Sequence, residues 1–198
     1  MIEPVARYWT ADLHLGHTNI IRYCGRPFAD VDEMDEALIA RWNATVGPDD
    51  EVWVLGDLAM GPIDRGLERA SRLQGRKVLV AGNHDRCWYG HGDKAERWID
   101  RYLVDAGFVE IVQGAVDAVV EGVPVHVCHF PYEGDSHDAD RYTAHRPADD
   151  GGWLLHGHVH ERWRTEGRQV NVGVDVWDFR PVSDAELAPL LTSASPGR

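Results

Sequence analysis

The chain has 198 residues, 43% of them hydrophobic, which is enough to bury a core and argues against intrinsic disorder. Its 33 acidic and 20 basic residues give a formal net charge of -13, which disfavours an extended grip on duplex nucleic acid. No apolar run approaches the roughly 18 residues of a membrane span, and Met1-Ile2-Glu3-Pro4 does not begin a secretory signal, so a cytoplasmic protein without a membrane partner is expected.

The predicted elements alternate at first. Val5 to Thr10 reads as a strand. Asp30 with Glu33 three residues on reads as a helix start, and Val31, Met34, Leu38 and Trp42 follow at helical spacing until Gly47-Pro48 ends the helix. Glu51 to Leu55 is a second strand. A helix after Pro62 carries Ile63, Leu67, Ala70 and Leu73 on one stripe and stops at Gly75. Lys77 to Ala81 is a third strand, and this order argues for parallel strands joined by crossover helices. Asp93 to Leu103 is a further helix.

After Gly107 the texture changes. Phe108–Val112, Ala115–Val120 and Pro124–Cys128 read as hairpin-linked strands. Trp153–Leu155 and Gln169–Val172 are two more, and Ser183 with Glu186 opens a last helix. Residues 1–191 are expected to form one domain, and 192–198 a frayed tail. Between His129 and Gly152 lies a long polar stretch, a length that compact domains usually reserve for function. Cys24, Cys87 and Cys128 are too scattered for a disulfide framework or a thiolate zinc site, and read as buried or idle thiols.

Five short motifs stand at strand ends: Asp12-Leu13-His14, Gly56-Asp57, Gly82-Asn83-His84-Asp85, His129 and Gly157-His158-Val159-His160. Ligands of open α/β sheets bind beyond the carboxyl ends of the strands, so these motifs can converge on one site. Their nitrogen and oxygen donors, without thiolate, suit divalent manganese, iron, zinc, cobalt or nickel. A metal pair there would acidify a shared water and clamp an in-line phosphoryl displacement.

In this order the five motifs resemble the series of the calcineurin-like metallophosphoesterases. The strings Asp12-Leu13-His14-Leu15-Gly16-His17-Thr18-Asn19-Ile20-Ile21 and Asn171-Val172-Gly173-Val174-Asp175 resemble a compact bacterial and phage branch of that superfamily. The resemblance implies an α/β fold, a four-layer α-β-β-α sandwich of two mixed β-sheets flanked by helices. It implies two divalent metal ions, manganese first among the candidates. Asp12, His14 and His160 would bind one ion, Asn83, His129 and His158 the other, and Asp57 would bridge them. His84 would face the phosphate and protonate the leaving oxygen, with Asp85 hydrogen-bonded to its imidazole. The implied reaction is in-line attack on a phosphoester by a metal-bridging hydroxide.

Beyond the motifs, His17 either touches the substrate phosphate or caps the next segment. Trp88 either lines the substrate site or fills the core. Arg141, with His145 and Arg146, either forms an anion-binding rim or is solvated surface. Asn171 to Asp175 reads as a structural turn beside the site. The expected substrate is a phosphodiester of nucleotide type or a DNA or RNA end. A broad phosphomonoesterase is the alternative within the same chemistry, and a non-catalytic protein-binding scaffold the alternative outside it.

Overall fold

The computed structural model describes residues 5–192. Two five-stranded mixed sheets form the protein, with strand orders β10-β1-β2-β3-β4 and β5-β6-β7-β9-β8. In the first sheet, β1 (Arg7–Thr10), β2 (Glu51–Val54), β3 (Arg76–Val80) and β4 (Phe108–Val112) are mutually parallel, and β10 (Val182–Ser183) pairs antiparallel with β1. In the second, β5 (Val116–Val120) and β6 (Val123–Val127) form a hairpin. β7 (Trp153–His156) runs parallel to β6, β9 (Gln169–Asn171) parallel to β7, and the short β8 (Thr165–Glu166) antiparallel to β9.

The period of the strands sorts their side chains between two cores. Val52 and Val54 of β2 face α2 (Val31–Thr45) and α3 (Ile63–Ala70), joining Met34, Leu38, Trp42, Ile63 and Leu67. The other face of the sheet turns Trp9, Leu55 and Val80 towards Val125, Val127, Leu155 and Val170 of the second sheet. The two sheets thus bury their inner faces against each other, as a sandwich does. Asp30 caps α2, accepting hydrogen bonds from the N–H groups of Asp32 and Glu33. Ser183 and Glu186 form the expected reciprocal cap of α5 (Asp184–Thr192).

The structure departs from the sequence reading in three places. Phe108–Val112 does not belong to the later hairpin. After α4 (Glu96–Val104) it returns parallel to β3, and Gly114, at φ +76°, turns the chain out to the second sheet. A six-residue helix unseen in the sequence, α1 (Thr18–Tyr23), follows the first motif. It buries only Ile20, so it shows no apolar stripe to read.

The outer layers also differ from the expected symmetric sandwich. A helical layer packs on the first sheet, but segment 130–151 crosses the outer face of the second. There Tyr132 N donates to Gln169 Oε1 and the Tyr132 ring lies 6.5 Å from that of His126, while Trp163 stacks on His156 at 4.7 Å. Pro131, Gly134 and Pro147 make that segment a poor helix, and it holds one 3₁₀ turn, Thr143–His145. Finally, the tail expected from Thr192 lies, beyond Thr192 itself, outside the described residues. No helix among the described residues is long and apolar enough to cross a membrane.

Candidate metal centre

All five motifs sit just past the carboxyl ends of parallel strands, three from the first sheet and two from the second. An isolated parallel bridge between Ala11 and Gly173 stitches the end of β1 to the chain beyond β9. The loops bend sharply. Asp12, His14, Asp57, His158 and His160 all adopt left-handed backbone conformations, with φ between 52° and 72°. Each such non-glycine residue costs roughly 1–2 kcal/mol, and a cluster of them marks strain held for a purpose.

That purpose is convergence. His14 Nε2 lies 3.2 Å from His160 Nε2 and 3.7 Å from Asp57 Oδ2, and His160 Nε2 lies 3.8 Å from Asp12 Oδ1. On the other side of Asp57, its Oδ1 is 3.6 Å from His129 Nε2, which is 3.1 Å from Asn83 Oδ1. Neighbouring ligands of one transition metal at ~2.1 Å stand about 3.0–3.4 Å apart, so these spacings need little adjustment to accept ions. Asp12, His14, Asp57 and His160 form a buried cluster that could hold a metal ion.

Asp12 Oδ1 is buried without a hydrogen-bond partner, and such an oxygen is costly unless a cation or a proton meets it there. Burial and the neighbouring Asp57 push the Asp12 carboxyl well above its usual range. Burial would do the same to Asp57, but the imidazoles of His129, His84 and His14 together outweigh it and hold that carboxyl low. Burial lowers the His14 and His129 imidazoles, and takes His158 to about 3 and His160 to about 4. Neutral imidazoles beside two buried acids make a donor set suited to a cation.

Residues around this cluster fix its geometry. The guanidinium of Arg26, buried to 4% exposure, donates to the Asp12 and Leu13 carbonyls and pairs in bidentate fashion with Asp175. Asn171 donates from its amide to the carbonyls of His160 and Trp163, and accepts from Gly173 N. The segment Asn171 to Asp175 therefore braces two of the motifs. His129 Nδ1 approaches the Leu55 carbonyl at 2.8 Å, which assigns the proton to Nδ1 and leaves Nε2 open to Asp57 and Asn83. Gly56 and Gly82 are spacers. A Cβ on Gly56 would stand 2.4 Å from His129 Nδ1, and one on Gly82 2.6 Å from Asp57 Oδ1.

Asp85 is not placed as expected. Its carboxylate does not hold the His84 imidazole. It accepts from the backbone N–H groups of Asp57, Leu58 and Gly82, at 2.9 to 3.0 Å, with Tyr102 Oη at 3.4 Å. The loop turns so tightly, with Asp85 N bonded to Gly82 O, that the carboxylate folds back under it. His84 points the other way, its Nε2 3.9 Å from Asp57 Oδ2 and its side chain 36% exposed to the cleft.

The cleft above the cluster has a volume of about 520 Å³. Its lining includes His14, Asp57, Asn83, His84, His158 and His160, and also His17 and Arg141. His17 occupies the position before α1 but makes no capping bond through its side chain, and its ring stacks near that of His14 at 5.3 Å. Arg141 reaches the rim with its guanidinium already paired to Asp135. Arg146 is no part of a rim, since its side chain is 4% exposed and donates to the Arg141 carbonyl. His145 bonds Tyr89 Oη and meets Trp88 edge-on, and Trp88 is buried at 4% exposure among aromatic rings.

Besides Arg26, two residues that touch the centre escaped the sequence reading. Asp135, buried in segment 130–151, accepts from His158 Nε2 at 3.0 Å. That leaves Nδ1 as the His158 nitrogen free to meet an ion. Cys24 lies with Sγ 3.3 Å from His160 Nδ1, so it is not idle. Neither residue stands in a motif. Only the polar length of the 130–151 segment hinted at the first.

The fold and site thus define an α/β protein of two face-packed mixed sheets carrying a buried His/Asp cluster that could hold a metal ion. No protein-family model matches the chain. It is 34% identical over 202 residues to the gene 66 protein of Mycobacterium phage L5, covering 93% of each, and belongs to the same family. It is also 30% identical over 187 residues to an uncharacterized protein of Methanocaldococcus jannaschii, covering 89% of this chain and 85% of that one. Among solved structures, a protein of unknown function from Aquifex aeolicus superposes with a TM-score of 0.70 at 25% identity, over 94% of this chain and all of that one.

Proposed function

We propose that the protein is a phosphoester hydrolase of the calcineurin-like metallophosphoesterase superfamily that works with two divalent metal ions, manganese first among them. The observation that carries this reading is the left-handed cluster of Asp12, His14, Asp57, His158 and His160, in which the ligand atoms of Asp12, His14, Asp57 and His160 converge and Asp12 Oδ1 is buried without a partner. Asp12, His14 and His160 would hold one ion and Asn83, His129 and His158 the other, with Asp57 available to both. Bound ions would supply Lewis acidity and an activated water at neutral pH.

The chain's own residues do the rest. His84, exposed to the cleft beside Asp57, bonds the phosphoryl oxygens and gives its proton to the leaving oxygen. His17, which lines the same cleft beside His14, bonds a phosphoryl oxygen. Arg141, held by Asp135, meets the substrate at the rim. Asp85 positions Asp57 by binding its backbone N–H. The substrate class is a phosphodiester of nucleotide type or a nucleic-acid end.

The test is metal analysis of the purified protein together with hydrolysis of bis(4-nitrophenyl) phosphate. Up to two transition-metal ions per chain and manganese-dependent turnover are expected. His84→Ala should lower kcat by roughly 10²–10⁴-fold, the range of a lost general acid, with metal content kept. Absence of bound metal, together with no stabilisation by added manganese, would refute the proposal.

A further inference from the structure

The cleft does not end at His84. A second groove, of about 320 Å³, begins beyond it and shares Asn83 and His84 with the first. Ile63, Arg86 and His91 line its far end. Successive tight turns, from Asp85 N to Gly82 O, Trp88 N to Asp85 O and His91 N to Trp88 O, bring these residues to one side of the loop.

Arg86 is exposed and fixed in place. Its guanidinium lies 4.4 Å from the Trp98 ring centroid, and its backbone N–H donates to Tyr102 Oη. Among the described residues no carboxylate forms an ion pair with it. Arg101, on the same indole at 5.6 Å, makes the contrast, because it pairs with Asp64 and Asp105. His91 stands edge-on to Trp88 at 5.4 Å. In a chain of net charge -13, an open arginine in a groove joined to the metal cluster is a local cation, not a share of general basicity. A guanidinium anchored over an indole without a carboxylate partner keeps N–H groups free for a phosphate.

We propose that this groove is a second anion subsite, one that binds a phosphate carried beyond the scissile one. The inference rests on the hydrolase reading above and deepens it. The substrate is a diester whose two substituents leave the reacting phosphorus on opposite sides of His84, one towards Arg141 and the other towards Arg86. A simple monoester fills one arm only.

The experiment uses thymidine 5′- and 3′-(4-nitrophenyl phosphate), each with and without a second phosphate on the other ribose oxygen, in manganese buffer at fixed ionic strength. In the wild type the second phosphate should lower KM about tenfold in at least one series, the scale of one charge-assisted contact. Arg86→Ala should bring the ratio of the two KM values close to one, and Arg86→Lys should restore part of it. Arg101→Ala, which changes the paired neighbour on the same ring, should leave the ratio as in the wild type. Calorimetric binding of thymidine 3′,5′-bisphosphate should weaken in parallel in Arg86→Ala. Competition by inorganic pyrophosphate as strong as by the bisphosphate would assign the second anion to a diphosphate chain, and weaker competition to nucleotide spacing. A wild-type ratio of one in both series, or an equal rise of both KM values in Arg86→Ala, overturns the subsite. Binding of the bisphosphate that depends on Arg86, without hydrolysis of any ester, would sink the hydrolase reading and leave the subsite standing.

Discussion

Asp135 joins the metal cluster to the segment that borders the cleft, and its removal is the sharpest probe of that link. Its Oδ2 accepts from His158 Nε2 and from Arg141 N, at 3.0 and 2.9 Å. Its Oδ1 accepts from His137 N and from the Arg141 guanidinium. Burial would raise this carboxyl, but the bonds from Arg141 and His158 hold it well below the usual carboxylate range. Both oxygens meet only donors, so an amide turned either way sets N–H against N–H, and Asp135→Asn is not a mild change.

Hydrogen bonds to a charged acceptor contribute roughly 1.5–3 kcal/mol each. The Arg141 side chain is 38% exposed, so its ion pair contributes less than about 1 kcal/mol after screening. Three such bonds, from His158 and from two backbone N–H groups, sum to roughly 4.5–9 kcal/mol, but the part-buried His137 and Arg141 N–H groups can turn to water, so Asp135→Ala should cost about 3–5 kcal/mol, the scale of one broken buried charge pair. At ~2–4 °C per kcal/mol for a chain of this size, the melting temperature should fall by roughly 10 °C. Loss of the His158 support should separately weaken one manganese ion by about 10–100-fold. Calorimetric titration with manganese measures this, and the ion proposed for Asp12, His14 and His160 would serve as the internal reference. If Asp135→Ala melts early yet binds both ions as the wild type does, Asp135 secures the segment only, and the coupling is wrong.

Three further outcomes are expected. Burial lowers Lys77 to about 8, although its Nζ donates to the Leu73 carbonyl. A lysine so depressed destabilises the fold while it is charged, so Lys77→Met should stabilise the protein by roughly 1–3 kcal/mol at pH 7 in urea titrations. That gain should vanish as pH rises from 8 past 10.5; a gain unchanged at pH 11 would mean packing, not charge, is responsible. Gly56→Ala, which would drive a Cβ into His129 and Gly82 at a φ of +82°, should cost about 3 kcal/mol or more and lower manganese content; wild-type stability would refute the close-approach argument. His158 and His160 take up protons more readily unfolded, near 6.5, than folded, near 3 and 4. The metal-free protein should therefore lose stability as pH falls from about 6.5 towards 4, which denaturant midpoints across that window will show.

The residues legible in the sequence were those whose role is written locally. Asp12, Asp57 and His158 stand beside the strand ends that position them, and the Asp30 and Ser183 caps need only a four-residue window. What stayed hidden depends on distant partners. The bond from Asp135 to His158 spans 23 positions, and the pair of Arg26 with Asp175 spans 149. No spacing rule announces either. Asp85 was misplaced for a related reason. A carboxylate next to a histidine in sequence invites pairing, but the positive ends of three buried backbone N–H groups lay closer. The strand at Phe108 was recognised as a strand but given the wrong neighbour, since periodicity fixes an element's face and not its partner.

The bridge between Ala11 and Gly173 has a consequence for how the protein matures. The candidate ligands reach from position 12 to position 160, and neither sheet supplies a full set for either ion. A chain folded through β4 would own Asp12, His14, Asp57 and Asn83 but no imidazole from the second sheet. On the proposed ligand set, tight capture of metal would be reserved for molecules whose two sheets have already docked. Metal uptake would act as a proofreading step on assembly, adding about RT ln(1 + [metal]/Kd) of stability only to chains that finished folding.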